Sequence, residues 1–409
     1  MNKLYEKLAD LVIKRGVNVQ EGQLLVIRAA VRDCEFVRLL AEKAYQRGAC
    51  EVQVDWRDET LTKLGYKYRT KENLSVVEDW VHDREQNRHD QKCCYLNVVS
   101  DAPGILKDVD GEKIAAASRA FRVKMADLNA YTMNNIGQWC VCGLPSAAWA
   151  KEVFPDLSEE EAYAKLEEAI FMVSRVSEDN DPEADWEKHD AELIGHAQKM
   201  TAYNFEKIHF TSELGTDITV GLVDSNVWIG GGTTTPAGVY FDPNIPTEEC
   251  FSMPHRDRVD GIVHASRPLN YQGRLIENFW FRFENGKVVD YGAEKGAEML
   301  KELLDTDEGA MHLGEVALVP YNSPVSLSGI LFLNTLYDEN AACHLALGRC
   351  YPENVVGGVD MSKEELHALG ANDSLEHVDF MFGTKELCAD GIRKDGTVVP
   401  VFRHGGFVL

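Results

Sequence analysis

The chain contains no Cys-x-x-Cys pair, no Gly-x-Gly-x-x-Gly turn ahead of a helix, and no run of about 18 apolar residues. The first absence excludes a cysteine-built metal or disulfide grid. The ten cysteines instead lie at unmatched spacings, with Cys93 and Cys94 adjacent and Cys140 and Cys142 one residue apart, so reduced, buried thiols are expected. The second argues against a dinucleotide-binding fold, and the third against a membrane span. Positive charge is also scarce: 42 Lys and Arg against 67 Asp and Glu give a net charge of -25. Nucleic acid and anionic membrane surfaces are therefore not expected partners, since both need clustered Lys and Arg. The opening residues, Met-Asn-Lys-Leu-Tyr-Glu-Lys-Leu, have no uninterrupted apolar stretch, so no secretory signal is expected and the chain reads as cytoplasmic.

What is present is ordinary in bulk and specific in pattern. Hydrophobic content of 44% with 27% charged residues is that of a globular protein, and 409 residues exceed what one core usually supports. Leu4, Leu8, Leu11 and Val12 recur at helical spacing up to Gly16. Leu24–Ile27 reads as a buried strand, Asp33 as the cap of a helix burying Phe36, Val37, Leu40 and Ala44, and Val52–Val54 as the next strand. Strand, helix and strand over about thirty residues predict a parallel pair with a right-handed crossover. Residues 94–99 and 141–142 add strands, and the turn at 29–33 lacks the glycines a pyrophosphate needs. Ser158 and Glu161 form a capping box, and a further amphipathic helix is expected from about 185 to 200. The first half is thus expected to be an α/β domain, residues 1–205, with an open, partly parallel sheet.

From Lys207 the pattern changes to strands at 209–211, 217–220, 227–229, 261–264 and 279–284. Asn285-Gly286 predicts a tight hairpin into 287–291, followed by a helix over about 293–304. Residues 315–319 read as a strand, 337–351 as a turn-and-helix segment, and Ser362–Glu365 as the start of a short helix ending at Gly370. The second half, residues 206–409, is expected to be a β-rich α+β domain carrying a metal site.

The metal expectation comes from carboxylates and imidazoles recurring through this last third. His377 and Asp379 project from one face of a strand, because side chains alternate with period two. Glu315 stands at the head of an apolar strand, where an unpaired carboxylate is costly to bury. Of Glu248 and Glu249, one is expected to face inward. Glu339 and His344 are five residues apart, poor spacing for one helix face, so the helix begins between them or they reach different metals. Four carboxylates with two histidines exceed one zinc site but balance two dications. His312 is a spare ligand, His367 suits the C-terminal end of a helix, and a Cys343–His344 nucleophile is disfavoured because adjacent residues point apart.

Taken together, Asn244–Glu249, Gly314–Pro320, Tyr337–Gly348 and His377–Asp379 match, in order and spacing, the thermophilic-aminopeptidase family, which the chain resembles from end to end. The resemblance implies metal ligands at Glu249, Glu315, Glu339, His344, His377 and Asp379, and an active-site role for Tyr351. It further implies two divalent ions (zinc or cobalt first, manganese or magnesium as alternatives), peptide substrates with a free N-terminus, and a homodimer. Cys250 departs from the aliphatic residue expected after the acidic pair, which puts the local packing in question. The rival readings are a dinuclear hydrolase of another substrate, such as a phosphoester, and an α/β binding module without catalysis. No Lys/Arg cluster near the four blocks favours phosphate.

Overall fold

A computed structural model describes residues 3–271 and 274–409. The chain resolves into two compact units: residues up to Glu187 with Gly232–Pro246, and Lys188–Gly231 with Thr247–Leu409. The sequence reading divides the chain once, after residue 205. The observed division falls inside a helix and returns a short later segment to the first unit.

The first unit begins with α1 (Lys3–Leu11), β1 (Leu24–Ala30), α2 (Cys34–Gln46) and β2 (Glu51–Arg57). Then come α3 (Asp79–Asp90), β3 (Cys94–Val99), α4 (Gly111–Lys124), β4 (Trp139–Gly143) and α5 (Glu159–Val173). Helix α6 (Pro182–Tyr203) passes from the first unit into the second. All four strands pair in parallel, in the order β4-β3-β1-β2, with Asn244–Ile245 parallel on the outer edge of β4. The predicted crossover is therefore present. Leu25, Ile27 and Ala29 alternate onto one face and pack with Phe36, Val37 and Leu40 of α2. Arg28, Asp55 and Tyr95 occupy the other face. Asp33 flanks α2 but does not cap it, since its carboxylate accepts a hydrogen bond from Ser100 Oγ at 2.6 Å.

The second unit contains two antiparallel sheets. The larger has nine strands and includes the hairpin Arg274–Glu284 to Lys287–Lys295. Asn285 and Gly286 both have positive φ (50° and 80°), as a primed two-residue turn requires. This strand runs on to Lys295, so the next helix is Ala297–Leu304 rather than beginning at 293. Of the expected strand 227–229, only Ile229 is extended, in Ile229–Gly230. The smaller sheet places β5 (Cys250–Ser252), β6 (Leu313–Leu318), β7 (His344–Gly348) and β8 (His377–Met381) side by side, in the order β8-β7-β6-β5. The expected turn-and-helix at 337–351 is thus a helical turn followed by a strand. His344–Gly348 is buried at every position, and a short apolar run between two partners has no periodicity that separates strand from helix. One face of this sheet is core: Val316, Leu345, Leu347 and Phe380 belong to the same cluster as Phe279 and Phe281 of the larger sheet, with the Phe380 and Phe281 rings 5.1 Å apart.

Candidate metal centre

The other face of the smaller sheet carries the ligand candidates, and strand register explains why they meet. Glu315 on β6 is opposite Ala346 on β7, which is opposite Asp379 on β8. His344 is opposite Ala317 and Met381, and His377 is opposite Gly348. Side chains of directly opposed residues share a face, about 5 Å apart at Cβ. Glu315, His344, His377 and Asp379 therefore converge over Ala346, whose methyl is the smallest floor an L-residue offers. A bulge at Gly314 shifts the β6–β7 register just before Glu315 and re-aims it. A side chain at 314 would meet the Arg349 carbonyl oxygen at 2.2 Å. Glu249 enters immediately ahead of β5.

Ligand-type atoms form two trios, Glu249–Glu315–His344 and Glu315–His377–Asp379, each within 4.8 Å. Glu315 belongs to both. Its Oε1 lies 3.4 Å from His344 Nε2, and its Oε2 lies 3.5 Å from His377 Nε2. Glu249 Oε2 is 3.0 Å from His344 Nε2, and Asp379 Oδ1 is 3.4 Å from His377 Nε2. Each imidazole uses its other nitrogen on the backbone: His344 Nδ1 faces the carbonyls of Glu339 (3.1 Å) and Ala342 (3.2 Å), and His377 Nδ1 that of Arg349 (2.6 Å). A nitrogen facing a carbonyl is the protonated one, which leaves both Nε2 lone pairs aimed at the carboxylates, the arrangement of metal-ligating histidines.

The electrostatics call for a cation. Burial, with Glu249 and Asp379 nearby, raises Glu315 to about 7, although its contact with His344 opposes this. Burial likewise pushes Glu339 up, reinforced by Asp379 and Glu249. Burial alone would lower His377, but Asp379 and Glu315 bring it to about 9, and Glu249 and Glu315 do the same in direction for His344. Asp379 goes the opposite way: burial alone would raise it, but the charge and hydrogen bond of His377 with the charge of His344 together outweigh that. Among the described residues no Lys or Arg pairs with Glu249, Glu315, Glu339 or Asp379. The buried oxygens Glu249 Oε2 and Asp379 Oδ1 have no aligned hydrogen-bond donor. Protons can only partly substitute here for a divalent ion, so the donor set fits one.

The remaining candidates fall around this core. Glu339 supplies its carbonyl to His344 and its carboxyl stands outside both trios, close enough to feel Asp379 and Glu249. Tyr351 is half-buried, its ring 5.0 Å from that of His377 and its phenol held protonated by burial and the neighbouring carboxylates. Glu248 and Glu249 are both buried, where one inward-facing residue was expected. Glu248 reaches His189 Nε2 at 3.5 Å, and its backbone N–H donates to Asn340 Oδ1 at 2.7 Å. His312 is in neither trio and binds the Arg256 carbonyl, while His367 Nε2 meets Arg256 Nη1 at 2.6 Å. Cys250 packs fully buried in the main core, so the departure from an aliphatic residue is absorbed. Cys343 is buried too, which lifts its thiol to about 12 and leaves no nucleophile. Ala346 and Gly314 escaped the sequence reading because their contributions depend on strands distant in sequence.

Comparison with known proteins identifies the family. The family model of the thermophilic metalloproteases (M29) matches residues 1–407. Aminopeptidase 2 of Geobacillus stearothermophilus is 44% identical over 407 residues, covering 100% of this chain and 98% of that protein. Aminopeptidase AmpS of Bacillus subtilis is 43% identical over 412 residues, covering 100% of each. The structure of wild-type AmpT from Thermus thermophilus matches with a TM-score of 0.93 at 40% identity, over 100% of this chain and 99% of that one. The family resemblance carried by the four sequence blocks is borne out, and the chain belongs to the M29 thermophilic metalloproteases.

Proposed function

We propose that the two trios sharing Glu315 form a two-cation centre at which this metallo-aminopeptidase removes amino acids from free peptide N-termini. The observation that carries the reading is the division of Glu315, one oxygen toward each histidine, among carboxylates that no Lys or Arg among the described residues neutralises. Glu249, Glu315 and His344 would hold one ion and Glu315, His377 and Asp379 the other, with Glu339 the sixth ligand and fourth negative charge. Zinc or cobalt suits mixed imidazole and carboxylate donors best, with manganese or magnesium as alternatives. Divalent ions bound there supply an acidified water and a polarised scissile carbonyl.

The protein's own groups do the rest. A carboxylate of this group, Glu249 or Glu339, is the proton acceptor. It takes the water proton and returns it to the leaving amine. The Tyr351 phenol donates a hydrogen bond to the oxyanion that develops on the carbonyl. A homodimer is carried by family resemblance alone, and a cytoplasmic setting by cysteines at unmatched spacings. A phosphoester substrate has no observation in its favour.

The test is hydrolysis of leucine p-nitroanilide by chelator-stripped protein, before and after addition of zinc or cobalt. Activity lost on stripping and restored by metal is expected. Failure under both conditions, across several aminoacyl substrates, would overturn the assignment.

A further inference from the structure

The polar face of the parallel sheet in the first unit bounds a cavity of about 300 Å³, at the lower end of small-molecule sites. Arg28, Asp55 and Tyr95 contribute from the strands, and Arg84 and Glu85 from α3. Phe121, Met125 and Leu128 line an apolar wall. The guanidiniums of Arg28, Arg84 and Arg88 gather here on only two carboxylates, leaving one positive charge in excess within a chain of net charge -25. His89 adds none, since burial lowers its pKa and it stacks on Tyr131 at 3.9 Å.

The three arginines are not equally engaged. Arg88 donates to Asp55 at 2.6 and 2.9 Å, to Glu85 at 2.6 Å and to Gln53 at 3.0 Å. Arg28 uses one donor, to Glu85 at 2.7 Å, and its guanidinium is held 4.4 Å from the Tyr95 ring centre. Arg84 makes no hydrogen bond to any described residue; it has ion pairs at 3.5 Å to Asp55 and 3.4 Å to Glu85, and its guanidinium lies 5.6 Å from the Trp80 ring centre. The side chains of Arg28 and Arg84 are 35% and 43% exposed, so their free donors are reachable. A planar guanidinium with unused donors matches a carboxylate in two-pronged fashion. A single excess charge suits a monoanion and would be overcompensated by a phosphate dianion.

We propose that this cavity is a second ligand site, built from residues distinct from the metal centre, for a small monocarboxylate bearing one compact apolar group. The carboxylate pairs with Arg84 and the open edge of Arg28, and the apolar group lies against Phe121, Met125 and Leu128. N-acylated amino acids belong to this class.

The test uses the full-length, metal-loaded protein with 13C-labelled methionine methyls and N-acetyl-L-leucine as probe, the Met125 signal being assigned with Met125→Leu. A saturable shift of Met125 is expected, with none from N-acetyl-L-leucinamide, which keeps the apolar group, lacks the carboxylate and has no free amine for the metal centre to act on. Arg84→Met, at an exposed side chain, should weaken the interaction about ten- to a hundredfold, the range for a hydrogen bond to a charged group. A still Met125 signal, an equal response to N-acetyl-L-leucinamide, or unchanged affinity in Arg84→Met would each overturn the proposal. So would binding that a chelator abolishes, which would belong to the metal centre.

Discussion

Each unit has a group of charges on one face of a sheet, and the two groups are opposites in balance. Around Glu85 and Arg88, both nearly buried, each carboxylate has guanidinium partners and Tyr95 adds a 2.9 Å hydrogen bond. Around Glu315, carboxylates outnumber cationic groups, and two buried oxygens lack an aligned donor. Closeness of charged side chains is common to both, so closeness alone does not mark a metal site. What separates them is the sign of the imbalance and the presence of atoms that only a missing partner would satisfy.

The comparison is broken most severely by neutralising the shared ligand. Glu315→Gln should lower kcat/KM at least about a thousandfold, because stabilisation of several kcal/mol by the metals depends on it. Its circular dichroism should match the parent. A folded Glu315→Gln protein with near-normal hydrolysis would remove the case for a bridging carboxylate. The corresponding break in the first unit is Arg88→Met, which takes from buried Glu85 and half-buried Asp55 their closest guanidinium partner and should cost about 3 kcal/mol in a urea titration. Turnover per folded molecule should be unchanged, whereas a specific loss of kcat would mean that the balanced group is more than structural.

A subtler change sharpens the contrast. Ala346→Val adds bulk to the floor between Glu315 and Asp379, and zinc affinity measured against a competing chelator should fall about ten- to a hundredfold, as for other residues that orient metal ligands. Leu345→Ile, on the opposite face of the same strand, should leave that affinity alone. The smallest effect concerns acid. Burial alone would raise Asp55 and Glu85, but Arg88, Arg84 and Arg28 together outweigh it for Asp55, and Arg28, Tyr95 and Arg88 together do so for Glu85, so both lie below their ordinary values of 3.8 and 4.5. Carboxyls lowered in the folded state add stability above their unfolded pKa and lose it as pH falls through the folded one. Urea midpoints should therefore drop below about pH 4.5 in the parent and less steeply in Arg88→Met; parallel curves would assign the acid loss to other groups.

Legibility in the sequence followed the range of the interactions. The crossover from β1 to β2 was readable because helix and strand periods are local, as was the Asn285-Gly286 turn. His377 and Asp379 were readable as a pair because two residues of one strand share a face. The strand at His344 was misread because its neighbours in space, β6 and β8, lie about thirty residues away on either side. Glu248 was given an outward alternative because nothing nearby announces His189 or Asn340 as partners. The balanced group of the first unit left no trace at all: Arg28, Asp55, Glu85 and Arg88 lie on three separate elements, each unremarkable alone.

The bulge at Gly314 and the ladder from β6 to β8 have a further consequence. A one-residue slip of β8 would turn Val378 and Phe380 outward and drive His377 and Asp379 into the core. Metal retained after refolding thus counts only chains whose strands have paired correctly. Side chains fixed on strands also leave the surrounding loops free to diverge, which is where a change of substrate preference would be made without touching the sheet.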